Sequence, residues 1–136
     1  MNIIDHLKQA EGFRAHPYDD VGSVSIGYGR NLSSLGISEE EAEQMLLHDI
    51  ARVQRELQEF DWYEGLSETR KMACVGLVFN MGITRFRKFK MCILALSEGR
   101  WTDAADEIHP NSLYAKQVPD RASKYASWIA TDVFEI

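Results

Sequence analysis

Four side chains in the first thirty residues have the types and spacing to do acid–base chemistry on a polar bond. Glu11 stands at the end of an apolar stretch, Asp19 and Asp20 open a turn-rich segment, and Ser25 follows just ahead of Gly27 and Gly29. Cleavage of a glycosidic bond uses two carboxyl groups on opposite sides of a sugar, one protonated and one ionised. A pair carried on different elements suits that requirement. Desolvation raises the proton affinity of a carboxyl at the rim of an apolar helix, whereas a carboxyl on an open polar turn stays ionised. Glu11 fits the first part and Asp20 the second. The same residue types also suit the last turn of a surface helix and an ordinary turn pair, and Ser25 equally suits a solvent-facing strand position. Composition alone leaves both readings open. No His and Asp accompany Ser25 in the arrangement of a serine nucleophile.

The elements that must hold these groups are legible in the periodicity. Asn2 is placed to cap a short helix with Ile3, Ile4, Leu7 and Ala10 along one side, ending at Glu11 before Gly12. From Arg14 to Leu32 the texture changes to short alternating pieces between Pro17, Gly22, Gly27 and Gly29, with Val24 and Ile26 facing one way and Ser23 and Ser25 the other. This predicts a hairpin or three-stranded ribbon. Ser38 and Glu41 form a capping box ahead of a long amphipathic helix over about 39–58, carrying Ala42, Leu46, Ile50, Val53 and Leu57. Ser67 caps a nearly all-apolar helix that runs to Gly82 and belongs at the centre of a core. Further helices are predicted over Phe89–Glu98, Asp103–Ile108 behind Thr102, and from Pro119 through Trp128. A ribbon this small needs a helix to lean on, and the one at 39–58 is the available support. A groove between ribbon and helices is then the default place for chemistry.

The chain has 136 residues, 21 acidic and 15 basic, for a net charge of −6. That balance argues against a general nucleic-acid binder, because phosphate contacts need a cationic surface. The excess is confined to residues 1–60, with 5 basic and 11 acidic groups against 10 of each in 61–136. No apolar run approaches the ~18 residues of a membrane span, so no membrane insertion is expected, and the N-terminus lacks the charged and apolar regions of a signal peptide. Cys74 and Cys92 lie far apart in apolar surroundings and read as buried free thiols. His6, His16, His48 and His109 are scattered without ligand spacing, so no metal site is expected.

Glu11-Gly12-Phe13-Arg14, Tyr18-Asp19-Asp20 and Ser25-Ile26-Gly27-Tyr28-Gly29-Arg30-Asn31-Leu32 together resemble the active-site stretch of the phage T4-type lysozymes, or endolysins. Gly36-Ile37-Ser38, Glu41-Ala42, Phe79-Asn80-Met81-Gly82, Phe89, Gly99-Arg100-Trp101, Ala104-Ala105 and Gln117-Val118-Pro119-Asp120-Arg121-Ala122 continue the likeness through nearly the whole chain. The resemblance implies an α+β lysozyme-like fold, a small antiparallel β-ribbon lobe and a helical lobe joined by a long helix. The chain is expected to be one domain of two lobes: 12–60 as the ribbon lobe with its connecting helix, and 1–11 with 61–136 as the helical lobe.

The implied activity is hydrolysis of the β-1,4 bond between N-acetylmuramic acid and N-acetylglucosamine in bacterial peptidoglycan. Glu11 matches the family's general acid. Asp20, nine residues later, matches the second carboxylate, and Ser25 a position usually held by threonine whose hydroxyl helps to hold the attacking water. Arg121 matches an arginine that pairs with the glutamate. Two departures stand out. The family places five residues between aspartate and threonine, whereas four separate Asp20 from Ser25 and five separate Asp19 from it. Counting from Glu11 selects Asp20, and counting back from Ser25 selects Asp19. Serine in place of threonine keeps the hydroxyl and loses the methyl that restricts its rotamer. Reduced activity is the expected result.

Arg30 could hydrogen-bond substrate or brace a carboxylate across the ribbon, Tyr28 and Phe79 could stack on sugar rings or belong to the core, and Asn80 could face sugar or be a core amide. The basic run Arg85, Arg87, Lys88, Lys90 reads as a helix start or as a surface for an anionic wall polymer. The resemblance implies no cofactor, a monomer, accumulation in the host cytoplasm before lysis, and access to the wall through a holin-type membrane protein. A lytic transglycosylase, or a catalytically impaired wall-binding module, are the alternative functions.

Overall fold

A computed structural model describes residues 2–135. By their contacts these form two units, Met1–Met45 and Leu46–Ile136, with the division falling inside one continuous helix.

In the first unit Asn2 accepts a hydrogen bond from the Asp5 amide at 2.9 Å and starts α1 (Ile3–Glu11), which stops where Gly12 takes a positive φ. Three antiparallel strands follow in the order β1 (Arg14–Asp20), β2 (Ser23–Gly27), β3 (Arg30–Asn31). Pro17 is tolerated because β1 is an edge strand with an irregular register, in which Arg14 to Tyr18 spans only Gly27 to Ser25 on β2. Val21 (φ 51°) and Gly22 (φ 84°) form the whole β1–β2 loop. Two positive φ values in a two-residue loop define a type I′ turn, whose twist matches that of the paired strands. Asn31 then caps the short helix α2 (Leu32–Leu35) by accepting from the Ser34 amide.

The ribbon leans chiefly on α2, and it reaches the long helix named from the sequence through Arg30 and Glu41. Helix α2 packs along β2, and the Val24 amide donates to Ser33 Oγ at 2.8 Å. Strand β3 is only two residues long, so the ladder partner it fails to supply for Val24 comes from this side chain. The long helix α3 (Glu39–Leu57) is present with its capping box: Glu41 N donates to Ser38 Oγ, and Ser38 N to Glu41 Oε1. Of its expected apolar stripe, Val53 and Leu57 are buried, whereas Leu46 is exposed.

The second unit holds the core. Its helices are α4 (Glu68–Met81), α5 (Ile83–Arg87), α6 (Lys90–Ser97), α7 (Trp101–Ile108), α8 (Leu113–Gln117) and α9 (Pro119–Thr131). Helix α4, capped by Ser67 as expected, buries Ala73, Cys74, Leu77, Val78 and Met81, and α9 packs against it and against α7. Gly76 is what lets α9 approach, because a Cβ there would run into the Tyr125 ring. Arg70 lies 4.0 Å above the Trp101 ring and donates to the Ile129 carbonyl, tying α4 to α7 and to the end of α9. Helix α7 starts two residues earlier than expected, at Trp101, with no side-chain cap. Cys74 and Cys92 are free and buried, and burial pushes both thiols up, Cys92 to about 12.

Candidate active site

The end of α1 brings Glu11 onto the β2–β3 turn. Gly29, at the centre of that turn with φ 81°, faces the carboxyl so closely that a Cβ on it would stand 3.0 Å from Glu11 Oε2. The positive φ disfavours a larger residue there, and the approach means that one would push the Glu11 carboxylate aside. The next residues reinforce the contact. Phe13 packs on Tyr28 with ring centroids 5.6 Å apart, and the Lys8 ammonium stands 5.7 Å from the Tyr28 ring centre. Sequence pattern marked Glu11, Phe13, Tyr28 and Gly29 but not Lys8, and the packing of Phe13 on Tyr28 is visible only when helix and turn meet.

Register separates the two aspartates. Tyr18 pairs with Ser25, Asp19 with Val24, and Asp20 with Ser23. Paired residues share a face and successive residues alternate. Asp20 and Ser25 therefore project to one face of the sheet, and Asp19 to the other with Val24 and Ile26. The expected division of Val24 and Ile26 from Ser23 and Ser25 holds. Ser25 is only 3% exposed, held in the central strand between Tyr18 and Asn31. Among the described residues it is the buried polar one, where an exposed hydroxyl was one of the two expectations.

Arg30 is engaged by the protein itself. Its guanidinium reaches both Glu41 carboxylate oxygens, at 2.9 and 2.5 Å, and donates to the Gly36 carbonyl at 3.1 Å. Hydrogen bonds from Arg30 and then from the Ser38 amide hold the Glu41 carboxyl down at about 2, and Glu41 in turn raises the guanidinium's hold on its proton. This forked pair fixes β3 to the first turn of α3. An apolar hollow of about 370 Å³ lies beside it, lined by Ile26, Arg30, Leu32, Ile37, Glu41 and Met45. Ile26 places that hollow on the face opposite Asp20 and Ser25.

The remaining candidates belong to the second unit. Phe79 and Asn80, in the last turn of α4, are both exposed, so neither is a core residue. Arg121, in the first turn of α9, is exposed beside Val118, Pro119 and Asp120. Among the described residues no group of His, Cys, Asp and Glu could hold a metal ion.

A helix ending in a glutamate that rests on a glycine turn of a small antiparallel sheet, followed by a helical unit with its own core, is the α+β fold of the lysozyme type. The family model described as Phage lysozyme matches residues 8–119, and the chain belongs to that family. Two relatives from Dictyostelium discoideum carry the names Probable T4-type lysozyme 1 and Probable T4-type lysozyme 2. They are 38% and 36% identical over 69 residues, which is 51% of this chain and 40% of each relative. The Pre-baseplate central spike protein Gp5 of Enterobacteria phage T4 is 25% identical over 165 aligned positions, covering 99% of this chain and 28% of that protein. The matches thus span well under half the length of these relatives.

Proposed function

We propose that the chain is a muramidase that hydrolyses the β-1,4 bond between N-acetylmuramic acid and N-acetylglucosamine in bacterial peptidoglycan. Glu11 is the general acid that gives its proton to the bridging oxygen, and Asp20 is the ionised carboxylate that activates water or steadies the oxocarbenium-like transition state. Ser25 helps to hold that water. The observation that carries this reading is the exposed Glu11 carboxyl set against Gly29, at the end of a helix beside a turn of the sheet, where a proton donor would meet substrate. Family membership supports the reaction class. The shared face of Asp20 and Ser25 favours Asp20 over Asp19, which projects with Val24 and Ile26. With Arg30 occupied by Glu41, its part here is to hold the ribbon on which the site is built, with a sugar contact left to its outer edge. Tyr28, Phe79, Asn80 and Arg121 are the further sugar contacts in this proposal.

Turbidity clearing of outer-membrane-permeabilised cells tests the scheme. Glu11→Gln abolishes clearing while far-UV circular dichroism stays unchanged, Asp20→Asn loses most of the activity, and Asp19→Asn keeps most of it. Equal clearing by all three variants overturns the carboxylate scheme. Mass spectrometry of the released muropeptides shows reducing ends for a hydrolase and anhydro sugars for a lytic transglycosylase. Binding to sacculi with no clearing by the wild-type chain identifies a wall-binding module instead.

Access to the wall is part of the same proposal. No helix among the described residues is long and apolar enough to cross a membrane. The chain works as a monomer that accumulates in the host cytoplasm and reaches the wall once a holin-type protein opens the inner membrane. Host cells expressing the chain alone then remain intact until a membrane permeabiliser is added.

A further inference from the structure

Residues 1–45 hold eight acidic side chains and three basic ones, a net charge of −5, whereas residues 46–136 hold thirteen and twelve. Nearly all of the chain's negative charge therefore belongs to the unit that, among its described residues, buries no apolar side chain. The same unit bears the apolar hollow of about 370 Å³ beside Arg30. Ile37 and Met45 on its wall are 47% and 55% exposed, so the hollow opens to solvent as an uncovered apolar surface.

The charges around it have one sign. Arg30, the one cation lining the hollow, is engaged by Glu41. Asp19 projects with Val24 to the sheet face that carries Ile26, and Glu40 stands next to Glu41 in the first turn of α3. Both are exposed. Among the described residues the ion pair of this unit is Arg30–Glu41, so both carboxylates stand without a cation.

A second copy of the chain would bring the same carboxylates against these, and like charges face to face oppose association. An added strand needs a sheet edge, and β3, the edge beside the hollow, is two residues long and runs straight into α2. A helix needs neither. Apolar side chains at i and i+4 stand close enough together to enter one hollow, and lysines or arginines beside them reach carboxylates at its edge.

We infer that this hollow docks a cationic amphipathic helix of a partner protein, with its apolar side chains against Ile37 and Met45 and its cations directed at Asp19 and Glu40. A helix seated there gives the first unit the apolar cover that its own residues do not supply, and so stabilises it. The surface lies on the sheet face away from Asp20 and Ser25, and the inference does not depend on the muramidase reading.

The probe is a fluorescein-labelled peptide of leucine and lysine in helical period, and its counterpart carries glutamate in place of lysine. Fluorescence anisotropy with the full chain shows binding of the lysine peptide and none of the glutamate peptide. Ile37→Ser with Met45→Gln weakens binding about tenfold, and Asp19→Asn with Glu40→Gln does so at low salt but less at high salt. Ile37→Leu with Met45→Leu binds like wild type. Asp61→Asn with Asp106→Asn, which removes as much charge from exposed positions of the second unit, leaves binding unchanged. Ile37 and Met45 are exposed, so replacing them removes no buried contact, and far-UV circular dichroism checks that each variant is folded. Wild-type binding by the Ile37–Met45 or the Asp19–Glu40 variant overturns the inference, as does equal binding of the two peptides or an equal loss in the Asp61–Asp106 variant. Self-association in sedimentation equilibrium that Ile37→Ser with Met45→Gln abolishes puts a second copy in the hollow and overturns it too.

Discussion

Gly29 is where the chemistry and the backbone constrain each other most tightly. Its positive φ strains any side chain placed there, and a Cβ would press on the Glu11 carboxylate, so the residue positions the proposed proton donor without itself reacting. Gly29→Ala adds a methyl 3.0 Å from Glu11 Oε2 and forces the carboxylate or the turn to move. A displacement of about 1 Å at a reacting group costs on the order of a hundredfold in rate, and the few tenths of an ångström required here cost a smaller part of that. The variant therefore loses part of its turbidity clearing, in the rate of the bound complex rather than in substrate affinity, a difference read from the dependence of initial rate on sacculus concentration. At this scale the sequence was legible for residue types and illegible for orientation. Glu11, Asp19, Asp20 and Ser25 stand out by type and spacing, but which aspartate shares a face with Ser25 depends on the number of residues in the turn. Val21 is a poor signal for a turn residue, since a β-branched side chain is strained at φ 51°, and pattern alone does not reveal that it and Gly22 close the hairpin by themselves.

Elements with a strong local signal were readable, and those made by their neighbours were not. Asn2, the Ser38–Glu41 box, Ser67 and Pro119 each marked a helix start that the structure has. Helices α2, α5 and α8, of four or five residues, are too short to display a periodicity and were missed. Missing α2 also left the long helix, which holds β3 through Glu41, as the one support named for the ribbon. Glu41 was readable as a cap but not as the partner of Arg30, eleven residues away on a strand. That double engagement gives the element a pH signature. The Glu41 carboxyl titrates near 2 in the folded chain against an ordinary value near 4.5, so between these values the unfolded chain binds the proton and the folded one does not. The stabilisation is complete above pH 4.5 and is lost as pH falls toward 2. Thermal melts across this range are expected to show wild type losing its advantage over Glu41→Gln as the pH drops, and an advantage that stays constant would exclude the clamp.

Over the whole molecule, burial is divided far more unequally than composition suggests. Every apolar side chain in the buried core lies at or beyond Val53, whereas in the first unit, among the described residues, the one side chain classed as buried is the serine hydroxyl of Ser25. The charge asymmetry of the sequence pointed to two unlike parts, but an apolar stripe shows only that a face is able to be covered, and Ile3, Ile4, Leu7 and Leu46, each on such a stripe, are exposed. A three-stranded ribbon with two short helices and no apolar core of its own falls below what an isolated chain of fewer than about 50 residues needs in order to fold. The second unit, with α4 packed on α9 and α9 on α7, meets that need. Expressed separately, residues 46–136 are expected to give a helical spectrum and a cooperative melt, and residues 1–45 the spectrum of an unfolded peptide. Cys74 and Cys92 supply the internal reporter. Both thiols are buried in the second unit, so an aromatic disulfide reagent modifies them in the 46–136 fragment only as fast as that unit unfolds, and their immediate modification would show that the helical core needs the first unit to form.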